Sequence, residues 1–185
     1  FLQKRGSFLN KKVTSIKNIS SGIRIFCENN SFDFDNIVIS ARAWSKDLAL
    51  MIGDKFPLDT ERGYHVLFNN EKKLISRPIG WSQSGFYLIQ IDEGIRAAGT
   101  VEIAGLNKKP NQKRLSMIER EARKLLPALG KIKSTWLGFR PTLPDAMPII
   151  GQSEKNKKVF YAFGHQHIGW TLGAVTGKVI RDLVQ

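Results

Sequence analysis

Apolar positions along the chain follow two periods. Val159, Phe160, Tyr161, Ala162 and Phe163 make a nearly continuous apolar run, too short for a helix, which predicts a buried strand. Beyond a glycine-punctuated stretch at 164–169, Leu172, Val175, Val179 and Leu183 recur at helical spacing and predict a C-terminal helix. Gly173, Ala174 and Gly177 leave one side of that helix flat. Upstream, Leu115, Ile118, Ala122 and Leu125 predict a helix over 112–126, with Asn111 placed to cap it and Pro127 to stop it. A shorter apolar repeat, Leu48, Leu50, Met51 and Ile52, predicts a helix over 44–52. Runs at 64–68, 74–78, 86–91 and 95–103, separated by turn residues, read as strands of an antiparallel sheet. Residues 22–27 and 34–41 read as a pair across the turn ENNSFD, and the segment before them as a helix end, a glycine turn and a strand. Residues 136–147 read as a loop and 148–151 as a short apolar strand. Strand runs alternating with few helices make this an α+β chain.

Composition changes this picture little. With 42% hydrophobic residues in 185, the chain is ordinary for a globular protein that buries a core. No run approaches the roughly 18 apolar residues of a membrane span, and no signal-peptide pattern opens the chain. Cys27 is the only cysteine and sits in the apolar run IRIFC, where it is expected to pack as a small hydrophobe. The formal net charge of +13 invites nucleic acid as a partner. The lysines and arginines are scattered among loops instead of forming a stripe with interleaved aromatics, so solvated surface is expected, with at most attraction to an acidic membrane surface or partner.

Two stretches carry candidate chemistry. The strand, glycine turn and helix over 159–184 present free N–H groups and the positive end of a helix dipole at 164–171, a setting for an anionic group. Arg140 precedes Pro141, which holds it extended, and a guanidinium fork on a stiff backbone suits bidentate capture of a carboxylate. A salt bridge to Asp145 is the competing use of Arg140. His165 and His167 lack a partner set for a metal. Glu119, Arg120, Glu121, Arg123 and Lys124 belong to the wet face of their helix.

The residues GFRPTLPDAMPIIG (138–151) and GHQHIGWTLGAVTGKVIRDL (164–183) resemble the C-terminal signature of FAD-dependent amino-acid oxidoreductases, the D-amino-acid oxidase and glycine oxidase superfamily. The G-H-x-x-x-G-W-T stretch is most similar to bacterial D-amino-acid dehydrogenases, and VISARAWS (38–45), PLDTERGYHV (57–66) and IRAAGTVEIAGLN (95–107) match in order. The resemblance implies a largely antiparallel substrate-domain sheet with the C-terminal strands and helix of an FAD-binding domain. The N-terminal GxGxxG half is absent, and the chain opens on Phe1, so a C-terminal fragment, inactive alone, is expected. Three segments follow: 1–45 as the end of a substrate-domain helix and strands returning to the FAD domain, 46–135 as the substrate sheet and helix, and 136–185 as the C-terminal FAD segment.

The site residues that the resemblance implies are Arg140, Tyr64 and His167 for substrate, with Arg140 on the α-carboxylate. For FAD they are Ala41, Trp44, Gly138, Gly164, His165, Gln166, Ile168, Gly169, Trp170 and Thr171. Strand or core placements remain open for Tyr64, His65 and Trp44. Arg42 stands where the family prefers Gly. The implied reaction is oxidative deamination of an amino acid, of the D series, by hydride transfer to flavin, giving a 2-oxo acid and ammonia. A small amino acid, the missing N-terminal half and an electron acceptor, with oxygen, a respiratory quinone and a carrier protein all open, are the implied partners, in a cytoplasmic setting or peripheral to the inner membrane face. A glycine- or sarcosine-type amine oxidase of the same superfamily and a non-catalytic basic binding module are the alternatives.

Overall fold

The computed structural model describes residues 6–70 and 72–185. The expected helix end at the N-terminus falls largely on residues 1–5, outside the described residues. The chain divides into two compact units, one running to Leu58 and resuming at Leu143, the other Asp59–Thr142.

The first unit holds two three-stranded sheets and two helices. Strands β1 (Ser15–Asn18), β2 (Ile23–Cys27) and β3 (Asn30–Phe34) form an antiparallel meander. The sequence pairing of 22–27 with 34–41 is therefore corrected: Glu28, at φ 51°, turns the chain at once, and β2 pairs with 30–34. The freed stretch supplies β4 (Ile37–Ile39), which lies parallel to β11 (Val159–Phe163), with β10 (Ile149–Gln152) antiparallel on the other side. After β4 a single 3-10 turn leads into helix α1 (Ser45–Ile52), which stops at Gly53 in the left-handed region, φ 101°. Ile16, Ile23, Ile37, Ile39, Ala49, Leu58, Val159, Tyr161 and Phe163 meet in one core. Cys27 is buried and free, as a packed hydrophobe. The hydroxyls of Ser153 and Tyr161 both donate to buried Asp54, the second at 2.7 Å, fastening β11 to the turn after α1.

Helix α3 (Gly169–Val184) ends the unit. The face it buries there is Leu172, Thr176 and Ile180; of the expected stripe only Leu172 lies on it, and Val175, Val179 and Leu183 are exposed. Both faces are apolar enough to pack, so periodicity alone could not choose between them.

The second unit is a five-stranded antiparallel sheet in the order β6 (Ile79–Trp81), β7 (Phe86–Ile91), β8 (Gly94–Ile103), β5 (Asp59–Phe68) and β9 (Ile132–Thr142). The expected strand over 74–78 is irregular, and pairing begins only at Ile79. Residues 136–142, expected as loop, complete the eleven-residue strand β9. Helix α2 (Gln112–Leu125) covers one face of the sheet with Leu115, Ile118 and Ala122, while Leu125 is exposed against expectation. Asn111 caps it as expected, its side chain accepting the N–H of Lys113.

Candidate functional site

Alternation along β5 decides which side chains of the second unit are available. Arg62, Tyr64, Val66 and Phe68 point to the α2 side and are at most 2% exposed. Glu61, Gly63 and His65 point to the other side, opposite Arg140, Gly138 and Trp136 of β9. Here the indole of Trp136 lies back over Gly138, where an added Cβ would sit 1.8 Å from its ring, and stacks on His65 with centroids 5.1 Å apart and planes 15° off parallel. The guanidinium of Arg140 lies flat on Gly63, and its Nη1 is buried without a hydrogen-bond partner. A buried donor with no acceptor is costly, on the order of 1–3 kcal/mol, unless something accepts it. The face is thus a glycine floor carrying two planar groups, one a cation with a free N–H.

Tyr64 is not on this face. Its hydroxyl donates to Glu102 Oε2 at 2.5 Å and accepts the Asn111 N–H at 3.1 Å. Glu102 also accepts from Asn111 Nδ2 at 3.2 Å, and Arg62 donates to the carbonyl of Lys108 at 2.7 Å. The network ties the entry of α2 to the sheet. Burial first, and the bond to Glu102 second, raise the Tyr64 pKa; the Tyr64 bond leads the causes that lower Glu102. Assigning Tyr64 to substrate is therefore corrected: it shares an element with the Arg140 face and points the opposite way. Arg96, which no motif in the sequence singles out, is half-buried on β8, with an Nε lacking a partner. It pairs with Leu67 whereas Arg140 pairs with Glu61, which separates the two arginines by about 20 Å along β5.

In the first unit, β11 runs into Gly164, whose φ of 86° and 2.5 Å approach to Leu143 leave no room for a Cβ. The turn 165–168 closes by a bond from the Ile168 N–H to the His165 carbonyl, and Gln166 takes φ 49°. His165 Nε2 bonds Thr176 Oγ1 at 2.9 Å, so this ring pins the loop to α3. Burial lowers the His165 pKa and keeps it neutral. No side chain caps α3, and its N–H groups at Gly169, Trp170 and Thr171 precede the first intrahelical bond, from Leu172 to Ile168. His167 and Ile168 are exposed, and Trp170 wholly so. Ala41 is half-buried, and Trp44 is 47% exposed at the head of α1. Arg42 is exposed and holds φ 53°, a conformation that glycine takes without cost. Asp145 fixes its own loop, accepting the N–H of Met147.

A hollow of about 440 Å3 in this unit is lined by Asp54, Phe56, Ser153, Lys155 and Tyr161 among others and does not include the 164–171 loop. Its Asp54, Ser153 and Tyr161 side chains are engaged with one another, fastening the fold there.

The family model for FAD dependent oxidoreductases (DAO) matches residues 1–183. The chain belongs to that family. Members of that family depend on FAD. Among curated relatives, the D-amino-acid oxidase of Bradyrhizobium diazoefficiens is 38% identical over 168 residues, 88% of this chain and 40% of the relative. A D-amino acid dehydrogenase of Paramagnetospirillum magneticum is 29% identical over 154 residues, 81% of this chain and 36% of that protein. The chain thus spans about 40% of the length of the curated relatives it matches. In fold it is similar to glycine oxidase from Geobacillus kaustophilus, with a TM-score of 0.81 at 22% identity, over 94% of this chain and 48% of that one.

The residues present fit part of such a cofactor. The uncapped start of α3, the Cβ-free turn at Gly164 and the exposed Trp170 and Ile168 offer donors and apolar surface to a planar, electron-accepting ring.

Proposed function

We propose that the polypeptide carrying this chain oxidatively deaminates amino acids, D-amino acids in particular, to 2-oxo acids and ammonia. The observation that carries the reading is the buried, unpartnered Nη1 of Arg140 on the glycine floor of the second unit. A guanidinium held flat with a free N–H binds an α-carboxylate and fixes the orientation of Cα. When bound, FAD supplies the two-electron acceptor for the Cα–H hydride. Residues 164–171 would hold it, their free N–H groups countering negative charge that gathers there. His167 at that loop is the second candidate substrate contact, and Ala41, Trp44 and Gly138 further cofactor contacts. An amine that enters unprotonated needs no general base from the chain. The imino acid then hydrolyses in water.

On this reading, the strands of 1–45 that return to the FAD domain and most of 136–185 serve the cofactor, and 46–135 together with Arg140 and His167 serves the substrate, although the compact units divide at 58/59 and 142/143. Among the described residues no helix is long and apolar enough to cross a membrane. The proposed setting is cytoplasmic, with electrons passing to a respiratory acceptor at the membrane surface.

The test is a visible spectrum of the full polypeptide before and after anaerobic addition of D-amino acids. Bleaching of a flavin band by a D-amino acid, lost in Arg140→Ala, supports the reading. Bleaching that survives Arg140→Ala removes Arg140 from it, and an absence of flavin with FAD supplied in excess refutes it.

A further inference from the structure

We propose that Gly63 is the positioning residue for Arg140: the missing side chain on β5 is what lets the guanidinium lie on the sheet with a donor free for a carboxylate. The inference rests on the reading of Arg140 given above and adds to it the residue that sets the cation's place.

The register puts Glu61, not Gly63, directly across from Arg140 on β5. A carboxylate facing an arginine across a strand pair is its natural partner, and that pairing would occupy the fork. The guanidinium instead leans two residues along β5. A Cβ built on Gly63 finds only Arg140 as its three nearest neighbours, Nη2 at 2.4 Å and Cζ and Nη1 at 2.6 Å. Those distances are about an ångström inside van der Waals contact, so the planar group occupies the volume a side chain would fill. Nη1, one of the atoms pressed on Gly63, is also the buried donor without a partner. The glycine therefore decides both where the cation sits and that one N–H stays unused.

The backbone does not demand glycine here. Gly63 is not among the residues at positive φ, so alanine can take its conformation. The pairing of β5 with β8 slips between Arg62 and Tyr64, which leaves Gly63 without a partner on that strand. What an alanine strikes is the far end of a long side chain, which can swing away. Gly63→Ala is therefore expected to move Arg140 and leave the fold standing.

The experiment uses the full flavoprotein in four forms: wild type, Gly63→Ala, Arg140→Ala and the double variant. Its readouts are the KM and kcat for the D-amino acid that bleaches the flavin fastest, the dissociation constant of propionate as a plain carboxylate probe, and the thermal midpoint. For Gly63→Ala we expect KM and the propionate constant to rise about 100-fold, with a far smaller fall in kcat. The flavin spectrum and midpoint should stay near wild type. In the Arg140→Ala background the same change should add nothing, since the atoms it displaces are gone. Wild-type affinity in Gly63→Ala, or an undiminished effect of Gly63→Ala without Arg140, overturns the inference while Arg140 keeps its role. Unchanged affinity in Arg140→Ala overturns the carboxylate reading, and this inference with it. If Gly63→Ala alone fails to fold, the double variant decides: recovery of folding supports the steric account, and continued failure shows that Gly63 serves the backbone.

Discussion

Replacing Tyr64 with Phe separates a core role from a substrate role for the residue beside the glycine floor. The ring is 2% exposed and stays packed in the variant. What goes is the hydroxyl, and with it a donor to the Glu102 carboxylate at 2.5 Å and an acceptor for the Asn111 N–H at 3.1 Å. A hydrogen bond to a charged group contributes roughly 1.5–3 kcal/mol, and a neutral one about 1 kcal/mol. Glu102 keeps its bond from Asn111 Nδ2 and the charge of Arg62 at 3.7 Å, so the loss is cushioned. The expected destabilisation is about 2–3 kcal/mol. Urea unfolding of the full polypeptide followed by circular dichroism reads the stability, and steady-state kinetics with a D-amino acid reads KM. A stability loss with KM within twofold of wild type is the expected pair. A tenfold rise in KM with unchanged stability would refute the placement of Tyr64 in the core.

Arg42 and the two packed histidines yield further expectations. Arg42→Gly relieves a left-handed residue, worth about 1–2 kcal/mol, against the greater freedom glycine has when unfolded, so a net gain near 0.5–1 kcal/mol is expected in urea midpoints; a loss would contradict the strain argument. Burial lowers the pKa of His65, with the nearby Arg96 charge second, and burial alone lowers His165, both from an ordinary 6.5. Below 6.5 the unfolded chain then binds protons that the fold resists, so their contribution is intact above pH 6.5 and is lost as pH falls through the lowered values. Replacing both by Gln should flatten the dependence of urea midpoint on pH between 7 and 5, and a slope identical to wild type would sink this account.

Much of the secondary structure was legible because it is local. The apolar run 159–163 is β11, Asn111 caps α2, and the glycine-punctuated loop does lead into a helix at Gly169. The motifs at 138–151 and 164–183 likewise pointed to the family that the comparisons show.

What tertiary structure alone decided is which way things face and what lies beside them. Residues 37–39 are apolar enough for several partners, and only the assembled core sets them parallel to a strand some 120 residues later. Tyr64 and Gly63 are neighbours in one motif, yet the pleat sends the tyrosine into the core and leaves the glycine beneath Arg140. Alternation predicts that adjacent residues part company, but not which of them goes inward; that depends on where α2 docks. Helix α3 is apolar on more than one side, so its spacing announced a helix without naming the face it buries. Local pattern is a property of the segment, whereas facing and register are settled by the free energy of burying one side against distant chain.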